Sequence, residues 1–314
     1  MKSDQEQTSR YYAYFNYFLA IQNLLNTLYP SGSDLVQEIK KLPGYKRLQE
    51  KPGVNRARIS ELLRNSWFTW GLLEEIRESS SLTHINSPWS FVQSYYAILT
   101  MLESFLIAKK QPVHLKHANL LRTVSSELSS SKSCFPAPWS CVFDGDPKSN
   151  PFQLSNYSQE LSLSNPLKSP DNPWEHYGLF LKTTRRNILN QKIQQWKKRE
   201  KRKKIYSLKR QSLLENISPT TIFDAMYRMR IRSNYQDIDS FAFGVSAWGR
   251  MNGDSQKFHR AVLTLTEASL LVFEVLIARL MGKKLMIDEM KKFASSVYGH
   301  PIQKKILEHS EMLR

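Results

Sequence analysis

The residues with the clearest chemical potential are the cations between positions 182 and 210. This segment holds 13 Lys or Arg residues against one acid, Glu200. Lysine and arginine contacts to phosphates release counterions, so such a segment can dominate affinity for nucleic acid and make that affinity salt-dependent. Trp196 and Tyr206 lie among these cations, where they could stack on unpaired bases. We predict nucleic-acid contacts from Arg185, Arg186, Lys197, Lys198, Arg199, Lys201, Arg202, Lys203 and Lys204.

The same charge pattern also fits other surfaces. A solvated helix face or a disordered arm would show it, with Trp196 and Tyr206 docked on the body, and an acidic protein or an anionic lipid surface would attract it. The whole chain carries 45 Lys+Arg against 28 Asp+Glu, a formal net charge of +17. Such an excess repels itself unless an anionic partner offsets it. We therefore expect nucleic acid, RNA rather than DNA, as the main partner.

A second cationic cluster crowds the end of a predicted helix. Arg230 and Arg232 lie there, and Asn234 and Tyr235 follow. Cations stabilise a helix C-terminus, which is a sufficient structural reason for at least one of the arginines. Alternatively, an arginine would clamp a phosphate or a transition state beside Asn234 and Tyr235. His117 would be the general base if the fold brings it near Arg232, or else a partly buried core or capping residue. The predicted catalytic set is Arg232, His117, Asn234 and Tyr235.

The familiar cofactor and metal motifs are absent from the sequence. It contains no Walker loop, glycine-rich dinucleotide loop, nucleophile elbow or His-Glu-x-x-His motif. The two cysteines, Cys134 and Cys141, have no histidine close by in the sequence, so we expect no metal and no cofactor. A metal-independent ribonuclease remains open, because it needs only a positioned base and a cationic clamp. Without a signal peptide, the cytoplasm is the expected location.

The elements that must position these residues are predicted to be helices. Hydrophobic residues make up 41% of the chain and recur with helical spacing, glycine is scarce, and no long stretch alternates with a period of two. We therefore predict an all-α fold. Ser87 and Ser218 are predicted N-caps with Pro following, and Gly282 a helix stop. The predicted helices cover residues 11–29, 34–42, 55–77, 88–110, 114–128, 178–215, 219–232, 256–281, 286–298 and 301–313.

The changing composition along the chain predicts its organisation. A helical extension at 1–53 precedes the first half of a helical bundle at 54–128. A Ser/Pro-rich and basic insertion at 129–215 follows, and 216–314 holds the second half of the bundle and the C-terminal helices. Trp139 is expected to dock this insertion on the body. The apolar stretch from Ala261 to Met281 is interrupted by polar residues, which predicts a buried helix and no membrane association.

Two blocks resemble the HEPN superfamily, the small helical bundles of prokaryotic toxin and defence systems and of RNA processing. The first runs from Trp89 to Leu121 and includes Ser94-Tyr95-Tyr96-Ala97-Ile98. The second is Tyr227-Arg228-Met229-Arg230-Ile231-Arg232-Ser233-Asn234-Tyr235. The resemblance implies a HEPN-like bundle that acts on RNA in a defence or toxin-type system, often as a homodimer, with metal-independent endoribonuclease activity.

One departure from the family pattern leaves a second function open. Catalytic HEPN proteins carry an Arg followed, after four to six residues, by a His. Here Arg232 has no His within that reach, and Tyr235 and Asp237 lie there instead. This pattern resembles the HEPN branch that lacks the motif and serves as an interaction module. The alternative is therefore a non-catalytic interaction subunit of a larger nucleoprotein complex.

Overall fold

The computed structural model describes residues 4–113, 116–130, 133–168 and 172–314, and within these ranges it contains α-helices but no strands. This confirms the all-α prediction. A π-helical turn, Arg232–Gln236, follows the tenth helix. The helices are α1 Asp4–Leu28, α2 Gly32–Lys41, α3 Pro43–Arg47, α4 Arg56–Glu75, α5 Ser80–Ile85, α6 Ser87–Ala108, α7 His117–Ser129, α8 Pro173–Arg199, α9 Ser207–Glu215, α10 Ile222–Ile231, α11 Ile238–Phe243, α12 Ala247–Met251, α13 Asp254–Met281, α14 Lys283–Ser296 and α15 Pro301–Met312.

Helix α13 forms the centre of the bundle because it is apolar around most of its circumference. It packs mainly against α6 and α1 and also contacts α4, while α4 packs along α6 and α8 packs along α1. The ring of Phe258 at its start contacts Phe18 at 5.7 Å and Phe91 at 5.2 Å, which joins α1, α6 and α13. The predicted division sets 1–53 apart as an extension, whereas α1 packs within the same core cluster as α6, α8 and α13.

A buried ion pair joins α13 to α15. The carboxylate of Glu274 accepts a hydrogen bond from Trp67 Nε1 at 2.7 Å and lies 2.6 Å from His309 Nδ1. Burial lowers the pKa of His309, but the adjacent Glu274 outweighs it and raises the pKa above its usual value. The charged imidazole therefore stabilises the packing of α15 against α4 and α13.

The insertion follows the predicted irregular course, and its docking residue is confirmed. Its described part carries isolated bridges between Val142 and Ser155 and between Phe152 and Leu161. Trp139 is fully buried and donates from Nε1 to Ser269 Oγ at 3.0 Å. This contact fixes the insertion to the central helix α13.

The predicted N-cap serines are both wrong. Helix α6 begins at Ser87 itself, so Asn86 is its N-cap. Helix α10 begins only at Ile222 and is capped by Thr221. Backbone hydrogen bonds between Thr220 and Phe143, in both directions, hold the chain extended before Thr221 and delay the helix start.

The predicted helix over 178–215 is also wrong, because it is two helices. Helix α8 ends at Arg199 and α9 begins at Ser207, and between them Lys201 has a φ of 51°. Cations spaced four apart repel one another on a continuous helix, which favours the break. Two further helices, α11 and α12, lie between the helices predicted at 219–232 and 256–281, where sequence analysis predicts none. His114, the predicted start of one helix, lies outside the described residues.

Two helices, α6 and α13, are long and apolar enough to cross a membrane by length and composition. However, 72% and 83% of their most apolar windows are buried inside the protein. That is the environment of a core helix, as predicted for Ala261 to Met281.

We expect a His309→Gln variant to unfold more easily by about 3 kcal/mol at pH 6, because it leaves Glu274 without its buried charge partner. The folded pKa of His309 is raised, so its contribution is complete below about pH 6.5 and is lost as the pH rises through the folded value. Urea unfolding of both proteins across this range measures the difference. His84→Gln, which removes a contact to Ser255 Oγ at 3.3 Å, is the control. A difference for His309→Gln that does not fall with rising pH would contradict the assignment.

Candidate nucleic-acid interface

Helix α8 divides into a buried half and a cationic half. Its first half packs on α1, with Leu179, Phe180 and Leu181 buried. Beyond Leu189 the helix leaves the main core and rests on α9 through a small hydrophobic cluster with Leu214 and Ile217. The basic residues of the second half are therefore carried away from the body.

Arg185 belongs to the buried half, which corrects its predicted role in nucleic-acid binding. Its side chain is 2% exposed. Its guanidinium donates from Nε to the carbonyl oxygen of Gly145 at 2.9 Å and from Nη1 to that of Ser218 at 2.8 Å, with longer bonds to Leu214 and Ile217. Arg185 cannot reach a phosphate, because its donors are committed to backbone carbonyls that would otherwise be unpaired.

Arg186, the neighbour of Arg185, has a different environment. Its side chain is exposed and donates a single hydrogen bond from Nη2, to the carbonyl oxygen of Pro147 at 3.0 Å. The remaining donors stay accessible. Arg186 therefore keeps its place among the predicted nucleic-acid contacts, close to the base of the cationic half.

We call residues Lys197–Lys204 the basic turn. All of its cations except the half-buried Lys197 are exposed. Among the described ion pairs, Arg199 with Glu200 at 2.9 Å is the one pair that includes a residue of this turn. Five exposed cations without a described carboxylate partner, Lys198, Lys201, Arg202, Lys203 and Lys204, therefore lie close together, and this arrangement attracts polyanions.

The two aromatic residues beside the basic turn differ in accessibility. Trp196 is 7% exposed, whereas Tyr206 is 61% exposed. Their rings meet edge to face, with centroids 5.8 Å apart. Trp196 therefore supports the turn, and Tyr206 is the residue that can stack on a base.

A cleft of about 300 Å³ lies beside the basic turn, between α7, α8 and α10. We call it the α8 cleft. Four cations line it, Arg122, Lys192, Arg228 and Arg232, against one carboxylate, Asp224. Burial raises the pKa of Asp224 to about 6, although its capping bonds from Thr221 oppose this. Sequence analysis missed this cleft, because its lining comes from three helices that are far apart in the chain.

The predicted catalytic residues fall into two groups. Arg232 donates to Asp237 Oδ2 at 2.9 Å, where Tyr14 also donates and Arg10 binds the other carboxylate oxygen. Asp237 is 3% exposed, so Arg232 makes a largely buried ion pair at the edge of the α8 cleft. No described hydrogen bond joins Arg232 to His117.

His117 lies instead beside Arg230, in a group of rings that we call the tyrosine cluster. Nδ1 of His117 is 3.1 Å from the Tyr95 hydroxyl, and its ring lies 6.0 Å from Tyr96 and 5.8 Å from Tyr227. Arg230 donates to the Tyr96 hydroxyl at 2.8 Å. Burial and the charge of Arg230 lower the pKa of His117 below its usual value. His117 is therefore a neutral imidazole at neutral pH, able to accept a proton.

The last two predicted catalytic residues flank this cluster. The ring of Tyr235, 67% exposed, lies 5.7 Å from the guanidinium of Arg230. Asn234 is half-buried in the π-helical turn. The structure thus brings His117 and Tyr235 to Arg230, and it gives Arg232 separate partners.

The described residues contain no group of three or more His, Cys, Asp or Glu that could hold a metal ion. Cys134 and Cys141 are buried free thiols whose pKa burial raises to about 12. They are consequently protonated at neutral pH.

Comparisons with models of known protein families, with curated proteins and with solved structures give no match to this chain. The HEPN resemblance therefore stays a prediction from the sequence.

We expect Arg185→Ala to lower the free energy of unfolding by about 3 kcal/mol, because it leaves several buried carbonyl oxygens unpaired. Arg186→Ala is the matched control and should change stability by less than about 1 kcal/mol, since it removes one surface hydrogen bond. Denaturant unfolding at fixed pH measures both. Equal effects of the two variants would contradict the structural role of Arg185.

We expect the pKa of His117, followed by NMR of its ring protons, to rise in an Arg230→Gln variant because a nearby positive charge is removed. Arg232→Gln should leave it unchanged, since Arg232 is paired with Asp237. A change in the His117 pKa caused by Arg232→Gln and not by Arg230→Gln would contradict the placement of His117 beside Arg230.

Proposed function

We propose that this protein binds single-stranded RNA on the surface formed by the basic turn and the adjoining half of α8. The observation that carries this proposal is the exposure of the turn's cations without carboxylate partners. Solvation alone does not require so many cations to be held together on a folded turn. A polyphosphate partner offsets their mutual repulsion.

Two observations support a single strand over a duplex. Tyr206 offers an exposed ring next to the turn, and unpaired bases stack on such rings. The α8 cleft is concave and lies on the same helix, so it suits an unpaired nucleotide better than a base-paired one. The HEPN resemblance supports RNA over DNA, and it also suggests a cytoplasmic role in a prokaryotic defence or toxin-type system.

Metal-independent RNA cleavage is a second candidate function. It is favoured by the placement of a neutral His117 beside the cation Arg230 in the tyrosine cluster. A base next to a cationic clamp is the minimum that transesterification by the RNA 2′-hydroxyl requires. The residues to test for cleavage are then His117 and Arg230, together with Arg232.

The alternative, a non-catalytic interaction subunit, has its own support. Helices α11 and α12 expose large apolar side chains: Ile238, Phe243, Trp248 and Met251. Exposed apolar residues close together on short helices are typical of protein interaction surfaces. Such a subunit could dock through these helices and still present the basic turn to RNA.

The test is binding and cleavage of labelled single-stranded RNA, tRNA and duplex DNA at several salt concentrations. A turn variant, with Lys201, Arg202, Lys203 and Lys204 changed to Gln, should bind single-stranded RNA more weakly. Its slope of log affinity against log salt should be shallower by about 3, since each lost phosphate contact removes about 0.7. Wild-type protein should prefer single-stranded RNA to duplex DNA.

A matched control removes the same charge elsewhere. Lys284, Lys291, Lys292 and Lys304 are exposed on α14 and α15, away from α8. Changing these four to Gln should preserve most of the affinity. Equal losses in both variants would indicate attraction by net charge alone, and no binding at low salt would overturn the proposal. Cleavage that depends on His117 and Arg230 would establish the second candidate.

A further inference from the structure

The α8 cleft has the composition of a ligand site of its own, distinct from the basic turn. Part of its lining is apolar and includes Leu121, Ile188 and Ile231. Its volume of about 300 Å³ lies at the lower end of the range for small-molecule sites. Apolar side chains of this kind accommodate a flat ring, and Tyr227 adds an aromatic ring to the lining.

The cations of the cleft are arranged for a phosphate. Arg122 and Lys192 make no ion pair within the described part of the chain, and they approach the cleft from α7 and α8. Arg228 donates to the hydroxyls of Thr183 and Thr184, but its Nε is buried without a hydrogen-bond acceptor. The Nε of Arg232 is also buried without one. Unpaired donors on buried cations cost free energy, which an anionic acceptor would offset.

The uncharged polar residues of the cleft favour a base over a simple anion. Asn187, Gln191 and Gln195 project from α8 at helical spacing, and Asn216 faces them from the loop after α9. Gln191 Nε2 donates to Asn187 Oδ1 at 2.9 Å, and Asn216 Nδ2 donates to the carbonyl oxygen of Ser212 at 2.7 Å. The remaining donors and acceptors of these amides, with those of Gln195, match the mixed edges of nucleobases. Inorganic phosphate or an acidic side chain would use the cations but not these remaining groups.

The cleft and the basic turn lie along the same helix, α8. Lys192 lines the cleft, and Arg199 in the turn lies seven residues further along α8, about 10 Å at the rise of a helix. A strand whose phosphates rest on the turn can therefore place a neighbouring nucleotide in the cleft. We propose that the α8 cleft binds one phosphorylated nucleoside, with its phosphate on the cleft cations and its base against the amide side chains.

This inference deepens the proposed RNA binding, but it can be tested alone. The probes are 5′-AMP, adenosine and inorganic phosphate, measured by isothermal titration calorimetry on the full chain. We expect 5′-AMP to bind at least about tenfold more tightly than either part, because only it uses cations and amides together. An Arg122→Gln, Lys192→Gln double variant should weaken 5′-AMP binding by about tenfold or more.

Two controls separate the cleft from the basic turn. The turn variant should bind 5′-AMP as wild type does, because it leaves the cleft intact. A Lys284→Gln, Lys291→Gln double variant, which removes two exposed charges from α14, should also leave it unchanged. Circular dichroism checks that every variant is folded.

The outcomes distinguish the two proposals. If 5′-AMP fails to bind at millimolar concentration, or binds equally to the cleft variant, the cleft proposal is overturned. RNA binding that depends on the turn would in that case still support the proposed function. If the cleft variant weakens both 5′-AMP and oligonucleotide binding, the occupant is a nucleotide of the strand. If it weakens 5′-AMP binding alone, the occupant is a free nucleotide.

Discussion

The hydrogen bonds of the Arg185 guanidinium to backbone carbonyls hold the functional surface together. They join the buried half of α8 to the loop at Gly145 and to the chain between α9 and α10, at Ile217 and Ser218. A neutral side chain at this position could not satisfy so many acceptors, and exposed solvent is not available to do so. Together with the hydrogen bonds from Arg228 of α10 to Thr183 and Thr184 of α8, this buried cation sets the position of α8 and the shape of the α8 cleft.

This anchoring explains how a highly basic segment folds. Arg185 is neutralised by carbonyl dipoles inside the protein, and Arg210 by a bidentate pair with Asp146. Most of the charges between them lie in the basic turn, where the helix breaks and Glu200 is the single acid among seven cations. The cost of that repulsion is the physical reason to expect an anionic partner at this place and not elsewhere on the surface.

The tyrosine cluster and the α8 cleft are neighbours that share Tyr227. Its ring contacts His117 on one side and lines the cleft on the other. Arg228 and Arg230, two residues apart on α10, lie on different faces of the helix, so Arg230 contacts the cluster and Arg228 lines the cleft. A strand bound along α8 would pass close to a neutral imidazole, so binding and cleavage are compatible on one surface without requiring one another.

Sequence patterns predicted the elements better than the contacts. Helical periodicity predicted α6 and α13 within a few residues, since burial leaves a regular pattern in the order of residues. The helix stop at Gly282 and the docking of Trp139 were predicted from residue type alone, a glycine at a helix end and a large aromatic ring in a polar segment. The sequence did not distinguish Arg185 from Arg186, because both are arginines in a basic segment and a rotation of about 100° around the helix separates the buried side chain from the exposed one. The pairing of His117 with Arg230, and the assembly of the α8 cleft, depend on tertiary packing that no local pattern records.

The most direct test of the central claim is photocrosslinking of 4-thiouridine-substituted single-stranded RNA, followed by mass spectrometry of the attached peptides. The account predicts crosslinks within residues 187–209, concentrated at Tyr206 and the basic turn, and lost at high salt as counterions compete. Crosslinks absent from this segment and found instead on the apolar surface of α11 and α12 would contradict it.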